Sequence, residues 1–263
     1  MADYQSLKVE RRGNIAVVTF DRPAKANALN QAILAEIEAV ALAFRDDAET
    51  RAVVFTGRGR HFSSGADLTD LGSGQPEPLV LRRRRTRMGE RVMRALAGID
   101  QITVAAWNGA AMGGGACIAA VLDFRVGADD CFMQFPEIDL GMNLMWQSLP
   151  TIVRLVGTAR AKRLVIGGDR IHAPELSRWG VLDEQVPIAE LLPRALALAE
   201  RYAKKPPIAA QMIKRSVSHV TRALDEALMH MDADQNLQTR TTEDQRRAVE
   251  SYLNETDPAF DGN

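Results

Sequence analysis

The sequence predicts an α/β fold, with a large mixed domain followed by mostly helical segments. Residues 7–20 alternate between polar and apolar side chains around the turn dipeptide Gly13-Asn14, which indicates a β-hairpin. Short apolar runs at 52–56, 103–107 and 124–126 indicate further strands, separated by helical or irregular crossovers. From about residue 147 the strand signals fade and amphipathic patterns follow. Strands mixed with helices in this order are typical of the α/β class.

The helices are predicted from apolar spacing and capping residues. Asn30 is suited to be an N-cap, and Ile33, Ile37, Val40 and Phe44 recur at the spacing of one helical face. A glycine-, serine- and proline-containing stretch at 69–78 predicts a mobile loop that leads into a helix. Further amphipathic segments are expected at 159–166, 187–204, 208–220 and 221–237.

Bulk composition favours an ordinary soluble protein. The chain has 263 residues, of which 46% are hydrophobic and 25% charged, and its formal charge is −1, so there is no global basic field for nucleic acid. It lacks the run of about 20 apolar residues that spans a bilayer, and its first residues lack a signal-peptide pattern, so a cytoplasmic location without membrane contact is expected. Cys117 and Cys131 follow no metal-ligand spacing and are expected to be buried free thiols.

Two glycine-rich loops follow predicted strands. In residues 108–117, three adjacent glycines at 113–115 close a strand-like stretch and open a helical one, which exposes backbone N–H groups at the positive end of a helix dipole. A similar loop occupies residues 57–68. If the N–H groups of Ala66 and Gly114 converge on one carbonyl oxygen, they form a divided oxyanion hole. Each loop taken alone is interpreted more readily as a tight turn between packed elements.

Together with further motifs, these loops resemble the enoyl-CoA hydratase/isomerase family, also called the crotonase family. The match runs nearly end to end, through the ordered segments 21–30, 62–68, 108–117, 136–141, 154–157 and 258–260. The resemblance implies a crotonase-like spiral of ββα units at 1–195 that contains the acyl-CoA site. It implies a C-terminal helical region at 196–263 that makes oligomer contacts and covers the site. Such proteins form trimers, which often pair into hexamers.

The resemblance also implies where coenzyme A binds. The CoA part of the substrate is expected to contact Lys25, Ala26, Ala66, Asp67 and Leu68, and no separate cofactor is expected. Asp67 is alternatively a residue that shapes its loop through side-chain to backbone hydrogen bonds, and Lys25 is alternatively a solvated turn residue.

Glu137 is identified by the resemblance as the catalytic base, since a thioester polarised in an oxyanion hole needs a positioned base for its C2 protons. The hydratases of the family use two glutamates, the first of which lies two residues after the glycine triplet. Here that position is Cys117, and a mostly protonated thiol is a poor substitute for a carboxylate. A single carboxylate is enough to isomerise a 3-enoyl-CoA to a 2-enoyl-CoA.

Several bulky residues near these positions suggest an acyl pocket made by Cys117, Leu144, Met145 and Trp146. The alternative is that the last three are helix-packing residues and that Cys117 fills a small apolar space. Asp139 and Asn143 have no assignable role. The arginines between 82 and 87 are either a solvated helix face or a contact with CoA phosphates or a neighbouring subunit.

Other reaction classes lack their motifs. The histidines at 61, 172, 219 and 230 form no HExxH or comparable set, so no metal is expected, and no serine lies in a GxSxG sequence. Three hypotheses remain open: a single-glutamate isomerase, which the residues favour, a hydratase with an altered acid pair, and a non-catalytic acyl-CoA-binding protein.

Overall fold

The structure is a computed structural model that describes residues 4–67, 77–254 and 256–263. Within these residues, strands form a six-stranded sheet and a three-stranded sheet. The strands are β1 (Leu7–Arg12), β2 (Ile15–Phe20), β3 (Ala52–Gly57), β4 (Ile102–Trp107), β5 (Ala110–Met112), β6 (Phe124–Ala128), β7 (Phe132–Gln134), β8 (Ile171–His172) and β9 (Glu184–Val186). The α-helices are α1 (Gln31–Ala43), α2 (Leu79–Thr86), α3 (Met88–Ala97), α4 (Gly114–Val121), α5 (Leu149–Val156), α6 (Thr158–Val165), α7 (Ala173–Trp179), α8 (Leu191–Ala203), α9 (Pro207–Arg222), α10 (Asp225–Met229), α11 (Asp232–Thr239) and α12 (Glu243–Asn254).

The large sheet has the strand order β1-β2-β3-β4-β6-β9, in which only the β1–β2 hairpin is antiparallel. The predicted hairpin is confirmed, and Gly13 at its turn has a φ of 63° that suits glycine. The predicted N-cap of α1 is also confirmed, because the Asn30 side chain accepts a hydrogen bond from the Ile33 N–H at 3.1 Å.

The two faces of the large sheet are covered by different helices. On one face Val54 and Val104 pack with Ala195 and Leu198 of α8. The residues that alternate with them, such as Phe55 and Trp107, point to the opposite core, which includes Ile33 and Ile37 of α1 and Val92 and Leu96 of α3. The near-continuous apolar character of β3 and β4 is the expected result of burial on both faces.

The small sheet begins with β5, shortly after the end of β4. Strand β5 pairs in parallel with β7, and β7 pairs antiparallel with β8. Strand β5 is followed at once by Gly113 and helix α4, which matches the predicted change from strand to helix at the glycine triplet. Strands β5, β7, β8 and β9 are two or three residues long, too short for an alternation pattern in the sequence to indicate them.

The C-terminal part is largely helical, as expected, but its elements differ in detail from the sequence prediction. The segment 221–237 is not one helix: α9 ends at Arg222, and α10 and α11 follow after breaks at 223–224 and 230–231. No glycine or proline marks either break, so neither could be predicted from the amino-acid pattern.

The predicted division between residues 195 and 196 lies inside α8, and that helix packs against β2, β3, β4 and β6 of the large sheet. The two-part division of the chain stays a prediction. In the part of the chain that the structure describes, no helix is long and apolar enough to cross a membrane.

Candidate active site

The two glycine-rich loops leave the same edge of the large sheet, because β3 and β4 are parallel and their carboxyl ends are adjacent. The Asn108 side chain joins these ends: its Nδ2 donates to the carbonyls of Gly57 and Gly59, both at 2.9 Å. Further along, the Phe62 N–H donates to the Asn108 carbonyl at 2.6 Å, and the Ser63 N–H donates to the Ala110 carbonyl at 3.0 Å. The loops are therefore locked to one another by their backbones.

The loops remain in contact up to the proposed oxyanion donors. A Cβ atom on Gly65 would lie 2.6 Å from the Met112 carbonyl oxygen, and the φ of Gly65 is 85°, so both the close approach and the conformation require glycine. Ala66 follows Gly65 in the first loop, and Gly113 and Gly114 follow Met112 in the second. Within the described residues, neither the Ala66 N–H nor the Gly114 N–H donates a hydrogen bond. Both N–H groups are thus available to a ligand oxygen.

The segment predicted to bind CoA packs directly on the first loop. The Ser64 N–H donates to the Ala26 carbonyl at 3.0 Å, and the Leu29 N–H donates to the Gly65 carbonyl at 2.7 Å. Asp67 is buried and forms an ion pair with Arg22 at 3.0 Å. This ion pair joins two side chains, so both the contact of Asp67 with CoA and its bonding to the loop backbone stay predictions.

Asn27 is a residue that the sequence analysis missed. It is fully buried, with a φ of 55°, and its Nδ2 donates to the carbonyls of Arg58 and His61 at 3.0 and 2.7 Å. Its Oδ1 accepts from the Arg22 N–H at 2.9 Å. Asparagine is among the few residues that adopt a left-handed conformation readily, and this tendency is the signal that could have indicated its role.

Glu137 lies at the start of the short 3-10 helix Ile138–Leu140, next to the second loop. A Cβ atom on Gly113 would be 2.6 Å from Glu137 Oε1, so the carboxyl group lies against the turn that carries Gly114. Its Oε2 is buried and has no hydrogen-bond partner among the described residues. Burial raises the pKa of Glu137 to about 7, and the negative charge of Asp139 adds to the effect. The group can therefore exchange a proton near neutral pH.

A cavity of about 400 Å³ connects these features, and we call it the first cavity. Its lining brings together the two loops, Glu137 and the C-terminal helices. It includes most of the predicted site residues: Lys25, Ala66, Asp67, Gly114, Cys117, Glu137, Leu144, Met145 and Trp146. Ala26 does not line it, and Leu68 lies outside the described residues.

Cys117 is on α4, one turn after Gly113, and its side chain is buried in the first cavity wall. Burial raises the pKa of the Cys117 thiol, and the nearby Glu137 carboxylate raises it further. The thiol is therefore neutral at physiological pH. It supplies no second carboxylate opposite Glu137.

The amino-acid sequence matches the model of a known family over residues 10–263, nearly its whole length, and the description of that family is enoyl-CoA hydratase/isomerase. The chain belongs to the enoyl-CoA hydratase/isomerase family.

Individual relatives support the same family. The chain is 30% identical to a crotonyl-CoA hydratase of Syntrophomonas wolfei over 95% of both chains, and 29% identical to a short-chain-enoyl-CoA hydratase of Clostridium acetobutylicum over 93% of both. Its fold is similar to that of a Pseudoalteromonas atlantica enoyl-CoA hydratase/isomerase, with a TM-score of 0.87 at 23% identity over 98% of this chain and 100% of the other. The predicted α/β, crotonase-like fold is thus confirmed.

This member of the enoyl-CoA hydratase/isomerase family also lines its first cavity with residues that the sequence analysis did not single out. From the C-terminal helices these are Asn236, Arg240 and Tyr252. Their contribution depends on how distant helices fold back over the loops, and no local pattern encodes that.

In the arginine run, Arg83 pairs with Asp234 at 2.5 Å and Arg85 with Glu77 at 3.0 Å. These pairs satisfy two of the arginines within the chain.

Proposed function

We propose that this enzyme isomerises a 3-enoyl-CoA to a 2-enoyl-CoA, with Glu137 as the only acid–base group. The observation that carries the proposal is the Glu137 carboxyl group in the first cavity: its Oε2 has no hydrogen-bond partner among the described residues, burial raises its pKa to about 7, and a neutral thiol occupies the position of a second acid. One group of this kind can both take and return a proton.

The proposed reaction has two proton transfers. The Glu137 carboxylate takes a proton from C2, the C2–H electron pair moves into the conjugated system, and a dienolate forms with its negative charge on the thioester oxygen. The N–H groups of Ala66 and Gly114 stabilise that oxygen, and one such donor contributes about 3–4 kcal/mol in comparable sites. Protonated Glu137 then gives its proton to C4, which leaves the double bond between C2 and C3.

Hydration of a 2-enoyl-CoA is the second candidate, because the relatives from Syntrophomonas wolfei and Clostridium acetobutylicum are named hydratases. Against it, addition of water needs one group to activate the water and one to protonate C2. Cys117 is the side chain at the second position, and its raised pKa makes it a poor partner.

Assembly as a trimer, or as a hexamer made from two trimers, is also part of the proposal. Helix α9 supports it, because this helix has no buried residue and exposes a row of apolar side chains that a neighbouring subunit would cover. The exposed residues are Ile208, Met212, Ile213, Val217 and Val220.

The decisive experiment incubates the protein with a 3-enoyl-CoA and, separately, with a 2-enoyl-CoA in deuterated water, followed by mass spectrometry. We expect interconversion of the two enoyl thioesters with deuterium at C2 and C4 and no addition of water. Glu137→Gln should abolish both conversion and labelling. Accumulation of 3-hydroxyacyl-CoA would refute the isomerase proposal and favour the hydratase, and tight binding without turnover would favour a non-catalytic protein.

A further inference from the structure

The side chain of Trp146 lies between two cavities. The first cavity contains the catalytic groups, and a second cavity of about 310 Å³ lies beyond it. Met145 and Trp146 line both, as do Ala66, Asp67 and Arg240, whereas Leu144 lines only the first and Leu34 only the second. Met145 and Trp146 therefore form part of the wall that the two cavities share, and we call this part the partition.

The indole of Trp146 is fixed by two glycines on different helices. A Cβ atom on Gly114 of α4 would lie 2.4 Å from the indole Cη2, and one on Gly89 of α3 would lie 1.9 Å from Cε2. Trp146 is 8% exposed. The ring therefore fills the gap between the two helices, in contact with the residue that carries one oxyanion donor.

The backbone under this ring is in an unfavourable conformation. Trp146 and Gln147 have φ angles of 69° and 55°, in the left-handed region that bulky residues rarely adopt. Such conformations persist where surrounding contacts enforce them, and they occur often at functional sites.

Two buried acids supply those contacts. The Gln147 N–H donates to Asp232 Oδ2 at 2.5 Å, and Gln147 Nε2 donates to Glu90 Oε1 at 3.1 Å. Asp232 comes from α11 and Glu90 from α3, and they are 1% and 8% exposed. The Ser148 hydroxyl donates to the Trp146 carbonyl at 3.3 Å.

We propose that Trp146 is the end wall of the acyl site and limits the substrates to thioesters whose acyl chain fits within the first cavity, and that Asp232 and Glu90 are positioning residues for this wall. The inference rests on the proposed function only in taking an acyl-CoA as the ligand. It holds whether the enzyme isomerises or hydrates its substrate.

The test measures binding of saturated butanoyl-, hexanoyl-, octanoyl- and decanoyl-CoA by calorimetry, because these thioesters carry no double bond to shift. In the wild-type protein, affinity should stop rising once the chain reaches the indole. In Trp146→Gly it should continue to rise, about fourfold for each methylene that enters the second cavity, which is the value of burying one methylene. Glycine accepts the positive φ, so this variant retains a compatible backbone. Trp146→Leu serves as a second variant with an apolar side chain.

Leu34→Ala is the matched control, because it enlarges the second cavity and leaves both the first cavity and the partition in place. Its ratio of decanoyl to butanoyl affinity should stay within a few-fold of wild type. An unchanged ratio in both Trp146 variants, with acyl-CoA still bound, would refute the end wall and leave the proposed function intact. Chain-length-limited binding of the saturated thioesters, together with no conversion of a 3-enoyl-CoA in the deuterium experiment, would refute only the proposed reaction, and no binding of any acyl-CoA would refute both.

The positioning residues need a readout other than stability. Asp232→Ala should raise the ratio of decanoyl to butanoyl affinity in the same direction as Trp146→Gly, and Asp232→Asn should restore it, since an amide oxygen can still accept from the Gln147 N–H. A loss of stability with an unchanged ratio would show that Asp232 serves the fold alone.

Discussion

Replacing Glu137 with glutamine should make the protein more stable than wild type at alkaline pH. Glutamine has the same shape as glutamate but no charge, so it removes the penalty of burying a carboxylate. Burial raises the pKa of Glu137 from 4.5 to about 7. A carboxyl group with a raised pKa stabilises the folded state in its protonated form. This contribution is fully present below the unfolded pKa, near 4.5, and is lost as the pH rises through the folded pKa, near 7.

The magnitude follows from the shift. A difference between 4.5 and about 7, at about 1.4 kcal/mol for each pKa unit, gives about 3 kcal/mol of stability that the wild type loses across this interval. The assay is urea unfolding of both proteins at several pH values on either side of the folded pKa. The free energy of unfolding of Glu137→Gln relative to wild type should increase by about 2–3 kcal/mol from the acidic to the alkaline end.

The control is Glu190→Gln, which replaces an exposed glutamate that does not line the first cavity. Its stability relative to wild type should change little with pH. If the difference between Glu137→Gln and wild type is equally flat, Glu137 is not in the dry environment that supports its proposed role as a base near neutral pH.

Three further predictions concern the loops and the thiols. Gly113→Ala places a Cβ 2.6 Å from Glu137 Oε1 at a φ of 47°, so turnover should fall at least about a hundredfold and the melting temperature should drop, as measured by steady-state assay and calorimetry. Asp67→Asn removes the charge that pairs with Arg22, and urea unfolding should show a loss of about 2 kcal/mol; a neutral result would mean that this pair does not hold the loop. Because burial raises the pKa of Cys117, and that of Cys131 to about 12, iodoacetamide at mildly alkaline pH should leave both unmodified in the folded protein, and mass spectrometry of a rapidly alkylated Cys117 would contradict the buried site.

Much of the fold could be predicted because its signals are local. The β1–β2 hairpin, the Asn30 cap and the apolar strands β3 and β4 each depend on patterns within a few residues. Strand β9 is different. It has three residues and exists as a strand only because β6 lies beside it, so its residues carry no independent signal.

The same distinction applies to the candidate site. The glycines at 65 and 113 could be recognised because a positive φ demands that residue type, whereas Gly114 has no positive φ and instead leaves room for the Trp146 ring. Trp146 shows the limit of this reasoning, since it adopts a positive φ that its residue type disfavours. The next residue, Gln147, donates its N–H to Asp232, which is far away in sequence, and only the folded chain brings the two together.

The backbone ladder between residues 62–63 and 108–112 has a consequence for how the enzyme fails. A stretch of chain that carries one proposed donor is tied to the stretch that carries the other, and both continue into central strands of the main sheet. Neither donor can move relative to the other without breaking the backbone hydrogen bonds between the two loops. Heat inactivation should therefore coincide with global melting, because no gentler local loosening would separate the two donors first.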